Sequence, residues 1–376
     1  MTASTASTAS VNTEPDLLYS EEEEALRSAV RDLLTDHCDA TSVLARVDTD
    51  APHDRELWKN LAETMGLAGL LVPEDKGGQG ASHREAAVVL EELGRAVAPV
   101  PYLTSAVIAT EALLACAGDE AATVLAVLAS GRSIGVLTVP LSATSGQDFR
   151  DVREEGGSLS GRVTGVADAG AADVFLVPTA SGLFAVDAGA EGVTVEPQTS
   201  LDRTRPLAAV TFAGAAGRKL GDSAATAVRR ALRAGAGLLV SEQLGLADWL
   251  LTETVRYTKE RNQFNRPVGS FQSLKHRLAQ LWLETVNTRA AARNAADALA
   301  TGSEDADIAV AVAQAYAAPV AVHAAEEALQ LHGGIGMTWE HPIHLYLKRA
   351  KADSIALGTA GRHREELAEL VDLRAP

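Results

Sequence analysis

Two segments of this 376-residue chain concentrate side chains capable of directed chemistry. The first runs Tyr257-Thr-Lys-Glu-Arg-Asn-Gln-Phe-Asn-Arg-Pro-Val-Gly-Ser-Phe-Gln272, and the second Gln330-Leu-His-Gly-Gly-Ile-Gly-Met-Thr-Trp-Glu-His-Pro342. Arg261 can fork two N–H donors onto a phosphate or carboxylate, and the amides of Gln272 and Gln330 add directed hydrogen bonds. Gly333 and Gly334 let a backbone come close to a phosphate or an aromatic ring. Each signal also has a plainer reading. A Gly-Gly pair is a common helix C-cap, and an arginine at a helix end is a solvated charge that favours the dipole.

Other candidates carry less. Glu340, His341 and His344 offer a carboxylate and two imidazoles, but the run lacks a convincing third protein ligand, so a surface or helix-start role is expected and no metal site is assigned. Ser142, Ser145 and Gly146 form a polar loop without the flanks of a nucleophile elbow. Lys348, Arg349, Lys351, Arg362 and Arg364 form a basic cluster, either a solvated face or a counterweight to an anionic ligand or partner. Cys38 and Cys116 make neither a disulfide framework nor a metal-ligand spacing. With 33 Lys+Arg against 50 Asp+Glu the net charge is −17, which argues against nucleic-acid binding. No uninterrupted apolar run reaches membrane-span length, and MTASTASTAS lacks the basic and apolar regions of a secretory signal. A cytoplasmic protein is expected.

The elements that must position these residues fall into three blocks after a flexible tail over 1–15. Residues 16–130 read as a helical domain, started by Ser20 and the carboxylates Glu21 to Glu24, with further helices over 57–65, 84–97 and 104–129. Residues 131–218 read as a β domain, with short strands at 134–139, 174–177, 184–186, 193–195 and 208–212 and a hairpin turn at 178–182. The absence of intervening helices points to an antiparallel sheet or barrel. Residues 219–376 return to helix. Val240, Leu244, Ala247, Leu251 and Val255 form one apolar stripe. Leu274, Leu278 and Leu281 begin a second helix, and Ile308, Val312 and Ala315 a third that Pro319 should kink. A fourth follows near 342–356, making a four-helix bundle.

Taken together, the helical–β–helical order and the runs ERNQFNRPVGSFQ and QLHGGIGMTWEHPIHLYLKRA resemble the acyl-CoA dehydrogenase family of flavoproteins, over nearly the whole chain after the tail. The resemblance implies an N-terminal all-α domain, a middle β domain and a C-terminal four-helix bundle that assembles a dimer or tetramer. It implies FAD between the β domain and the bundle, reaching the neighbouring subunit. It further implies an acyl-CoA thioester substrate from fatty acid or steroid degradation, and electron-transfer flavoprotein or a similar acceptor. The chemistry would be removal of the thioester's α-proton by a carboxylate with hydride transfer from the β-carbon to the flavin. Carried over residue by residue, Arg261, Gln263, Phe264, Gln272, Gln330, Gly333 and Gly334 match positions that contact the neighbour's FAD, and Thr359 matches a further cofactor position.

The sequence departs from the family where the chemistry lies. The position of the family's usual catalytic Glu is Leu357, and the alternative position used by a minority of members is Gly235, so the catalytic residue is unknown. Glu242 and Glu253 share a helix with Gly235 but read as surface carboxylates. The family's flavin-contacting Thr-Glu-Pro-Gly run stands here as Thr138-Val-Pro-Leu-Ser-Ala-Thr-Ser145, its Trp-Ile-Thr segment as Gly165-Val166-Ala167, and the Gln expected after Thr359 is Gly361. Surviving motifs reach the neighbour's cofactor, whereas degraded ones would hold the chain's own. Three functions follow from the resemblance: an FAD-dependent dehydrogenase acting alone or as a subunit, a catalytically silent subunit completing the FAD site of a Glu-bearing partner, or a derived flavin monooxygenase or oxidase.

Overall fold

A computed structural model describes residues 17–373; the tail expected over 1–15 lies outside them. The Ser20 hydroxyl accepts the Glu23 N–H while the Glu23 carboxylate accepts the Ser20 N–H, a reciprocal cap that starts α1 (Glu21–His37). Next come α2 (Ala40–Val47), α3 (Arg55–Lys59), α4 (His83–Ala96), α5 (Thr110–Leu114) and α6 (Asp119–Ala129). The single helix expected over 104–129 is instead three pieces. A π-helical stretch, Tyr102–Ala109, leads into α5, and the chain breaks before Gly118 and restarts on Asp119.

Eight strands follow: β1 (Gly135–Leu137), β2 (Val152–Glu155), β3 (Ser158–Ala167), β4 (Val174–Thr179), β5 (Gly182–Asp187), β6 (Val193–Gln198), β7 (Leu207–Ala216) and β8 (Arg218–Gly221). They form two four-stranded sheets, ordered β1-β4-β5-β8 and β2-β3-β7-β6. The hairpin turn expected at 178–182 closes β4 onto β5, with Thr179 opposite Gly182. Not every pair is antiparallel: β1 runs parallel to β4, because the β2–β3 excursion returns the chain to the same end of the sheet. Phe175 of one sheet meets Phe212 of the other edge-to-face at 6.1 Å, so the core of this domain lies between the sheets. β8 carries the β region to Gly221, past the boundary expected at 218.

The C-terminal block contains α7 (Ala224–Glu260), a small hairpin of β9 (Asn262–Gln263) and β10 (Arg266–Pro267), α8 (Gln272–Thr301), α9 (Ala306–His332), α10 (Ile343–Asp353) and α11 (Ala360–Leu370). Val240, Leu244, Ala247 and Leu251 are buried along α7 as their spacing predicts. On α9 the expected stripe is not the buried face: Val312 is exposed, and Ile308 and Ala315 are only half-buried. The buried face is instead alanine, at 313, 317, 321, 324 and 328, because small side chains let α9 approach α7 closely. Pro319 does not end the helix: it sits exposed on the outer face, and α9 continues through it. By length and composition this apolar segment could cross a membrane, but 61% of its most apolar window is buried inside the bundle, as in a core helix.

Candidate functional site

The first motif forms the tight β9–β10 hairpin after α7, with Phe264 and Asn265 both at positive φ, 54° and 62°. Two consecutive left-handed residues are what a two-residue hairpin loop requires, and Asn tolerates that region well. Phe264 is thereby held 86% exposed. Arg261 closes α7, its N–H donating to the Tyr257 carbonyl and its carbonyl accepting the Val268 N–H. Its guanidinium makes no ion pair or hydrogen bond among the described residues, and it is exposed, as are Gln263, Gln272, Gln330, Gly333 and Gly334. The second motif ends α9 at Gly333, whose φ 61° and ψ −138° only glycine adopts readily. Tyr257 joins the two: its ring stacks on His332 at 4.3 Å, and its hydroxyl donates to the His332 carbonyl. Nothing lies within 4 Å of where a Cβ would stand on Gly333 or Gly334. Among the described residues, a guanidinium without an ion pair, three free amides and an open glycine turn suit an anionic, hydrogen-bonding ligand.

The region that the resemblance leads one to expect as the chain's own flavin and base site is closed. Leu357 is 2% exposed, and a Cβ on Gly235 would stand 2.8 Å from Ile108 Cγ1 and 3.2 Å from Leu357 Cδ1. Both base positions thus belong to one apolar contact. The Leu357 N–H donates to the Leu141 carbonyl at 2.7 Å, and the Leu141 N–H donates to the Gly165 carbonyl at 2.8 Å. The loop around Leu141, the segment at Gly165 and the C-terminal loop are therefore tied to one another by backbone hydrogen bonds. Gly358 is wedged between His363 and Thr144, and the cavity beside Leu357 measures only about 20 Å³. Thr359 spends its hydroxyl accepting the Arg362 N–H at the start of α11. The Thr138 hydroxyl is buried without a hydrogen-bond partner. These residues do not fit a flavin held by this chain. Outside the closed region a groove of about 510 Å³ is open, lined by Ser145, Gly146, Arg229, Arg230 and Arg233.

Glu242 is not a surface carboxylate. It is 1% exposed and accepts from Arg205 Nη2 at 2.5 Å and Arg349 Nη1 at 2.6 Å. Arg349 also binds Asp202 and Thr204, and Arg205 binds Asp353. Burial raises the Glu242 carboxyl, but the two guanidiniums outweigh it and hold it below the usual carboxylate range. Burial and the neighbouring Glu242 charge push Asp353 well above its ordinary value. The network fastens the loop before β7 to α7 and α10 and lies in packed protein. The expected basic cluster is dispersed accordingly. Arg349 is interior, Lys351 pairs with Glu326, Arg362 with Glu365, and Lys348 lies over Trp339. His344 bonds the Trp339 carbonyl, while His341 turns away from it towards His332. Burial pushes the Cys38 thiol up to about 12, which makes it inert at neutral pH.

The acyl-CoA dehydrogenase N-terminal domain family matches residues 20–132 and the C-terminal domain family residues 225–371. The chain is 36% identical to acyl-CoA dehydrogenase IpdE2 of Mycolicibacterium smegmatis, over 93% of this chain and 98% of that protein. The chain therefore belongs to the acyl-CoA dehydrogenase family, oxidoreductases acting on CH–CH donors, and membership implies a flavin cofactor. Among solved structures it is similar to the Tcur3481-Tcur3483 steroid ACAD, with TM-score 0.84 and 30% identity over 94% of this chain and 98% of that one. It is also similar to the ChsE4-ChsE5 complex from Mycobacterium tuberculosis, with TM-score 0.85 and 27% identity over 96% and 100%.

Proposed function

We propose that this chain is the non-catalytic subunit of a heteromeric flavin-dependent acyl-CoA dehydrogenase. The observation that carries this reading is the packing of Leu357, Ile108 and Gly235, which fills both base positions with hydrocarbon. That packing counts equally against a derived monooxygenase or oxidase working on this chain. The names of the Tcur3481-Tcur3483 and ChsE4-ChsE5 assemblies pair two unlike chains, which supports a heteromer and a steroid thioester among the substrates worth testing.

In this reading a Glu-bearing partner would hold FAD, which would supply the hydride-accepting chemistry for α,β-dehydrogenation of an acyl-CoA thioester, with electron-transfer flavoprotein or a similar acceptor as the outlet for the electrons. This chain's part is to bind and orient. Arg261 would offer its guanidinium fork to the cofactor's phosphates, and the amides of Gln263, Gln272 and Gln330 would supply hydrogen bonds to its polar groups. Gly333 and Gly334 would let the backbone come close to the cofactor, and the exposed Phe264 ring would offer an apolar face.

The test is flavin absorbance per chain. Purified alone, the folded chain should carry almost none. Co-expressed with a relative that has the catalytic Glu, it should co-purify at one flavin per pair of unlike chains. Near-stoichiometric flavin on the chain alone would overturn the proposal. In the complex, Arg261→Ala should loosen flavin without dissociating the subunits.

A further inference from the structure

Glu253 of α7, His332 at the end of α9 and His341 just before α10 bring one ligand atom each to within 4.8 Å of one another. We propose that these three residues form a binding site for a first-row divalent cation, zinc or cobalt in chemistry, which pins the turn after α9 to the end of α7.

The arrangement at His332 carries the argument. Its Nδ1 lies 2.7 Å from the Ala328 carbonyl, which can only accept, so the ring proton is on Nδ1 and Nε2 presents a lone pair. That is the device by which metal-binding histidines are oriented, a carbonyl on one nitrogen and the ion on the other. The ring is 2% exposed and Nε2 has no hydrogen-bond partner. A buried acceptor left unpaired is rare, and this one sits in the His–His–Glu cluster.

His341 is free to turn a nitrogen inward, since its Nδ1 receives only a long contact of 3.4 Å from the Ile343 N–H. Glu253 is held by Arg256, the nearest opposing charge. Arg256 also pairs with Glu260 at 2.7 Å, so it keeps a partner when Glu253 turns to an ion. Tyr257 backs the His332 ring from its other face. A tetrahedral site with ligand bonds of about 2.0–2.2 Å sets its ligand atoms roughly 3.4 Å apart, so rotation of the two half-buried side chains completes the cage. Two imidazoles and one carboxylate suit zinc, with water in the fourth position. The turn that the ion would fasten carries Gly333 and Gly334, but the binding claim does not depend on their proposed role.

The experiment uses the full-length, tag-free chain stripped with a chelator and titrated with zinc chloride by calorimetry and with cobalt(II) by visible absorption. One ion per chain at micromolar or tighter affinity is expected, with the intense d–d bands of tetrahedral cobalt and a rise in thermal midpoint. His341→Ala and Glu253→Gln, at half-buried positions, should each weaken binding by about tenfold or more while circular dichroism stays unchanged. His344→Ala should leave binding as it was. Failure of the wild-type chain to bind, or equal binding by His341→Ala, would overturn the proposal; the latter would mark an adventitious surface ion.

Discussion

At the scale of single residues, the buried network around Glu242 has a sign structure that can be tested. Glu242 has a native pKa below its unfolded one, so its contribution is complete above the ordinary Glu range and is lost as pH falls through the depressed value. Asp353 works the other way: with a raised native pKa, stability falls as pH climbs from the ordinary Asp value towards the native one. Two guanidiniums against the Glu242 and Asp202 carboxylates balance only if Asp353 is neutral. Asp353→Asn should therefore be neutral or stabilising at pH 7 by urea denaturation. Glu242→Gln should cost about 3–5 kcal/mol, because it removes the carboxylate shared by two buried guanidiniums and leaves the network one negative charge short. A comparable loss in Asp353→Asn would show that Asp353 is ionised. None of this was legible in the sequence. The arginines that claim Glu242 lie 37 residues before it and 107 after it, and a carboxylate in a polar-looking helical stretch reads as solvent-facing until the fold brings its partners in. The candidate cofactor residues were readable for the opposite reason, since their chemistry is packed into two short contiguous runs.

At the scale of elements, close approach between helices rests on glycines whose role spacing does not announce. α4 and α7 meet through a reciprocal pair: a Cβ on Gly94 would lie 2.2 Å from the Glu242 carbonyl oxygen, and one on Gly245 would lie 1.9 Å from that of Glu91. Both clashes are with backbone, so the helices must separate to admit a methyl. Gly245→Ala should cost about 1–3 kcal/mol or more by chemical denaturation. Gly334→Ala, which meets nothing within 4 Å, should leave stability unchanged while weakening flavin retention in the complex. Equal destabilisation by both would refute the close-packing account. Long helices were readable from their 3.6-residue period. The expected Ile308 stripe misled because an alanine-rich helix presents weak contrast between its faces, and the bundle chose the face that packs closest. β3 escaped notice because bulges interrupt its alternation after Leu159 and Val163.

At the scale of the whole molecule, the family architecture is intact while its interior has been given over to packing. Leu357 sits in a left-handed backbone at φ 54°, followed by Gly358 at 107°, so the loop keeps a costly conformation even though the side chain it presents is hydrocarbon. That loop is bonded to the β domain through Leu141 and closes on Ile108 of the N-terminal block, joining all three parts of the chain at one point. Restoring the family's acid by Leu357→Glu should therefore not restore catalysis. The carboxyl would enter a buried position beside Gly235, and desolvation would raise its pKa, because Arg233, which lines the small cavity next to it, already pairs with Asp307. A raised native pKa makes the penalty grow as pH rises above about 4.3, reaching about 3–5 kcal/mol once the group must ionise inside. The variant should thus be nearly as stable as the parent at pH 4.5 and markedly weaker at pH 8, with acyl-CoA-dependent dye reduction still absent in the isolated chain. Were the substitution to bring dehydrogenase activity and bound flavin together, the closed packing would have to open in solution, and this chain would hold a complete active site lacking only its base.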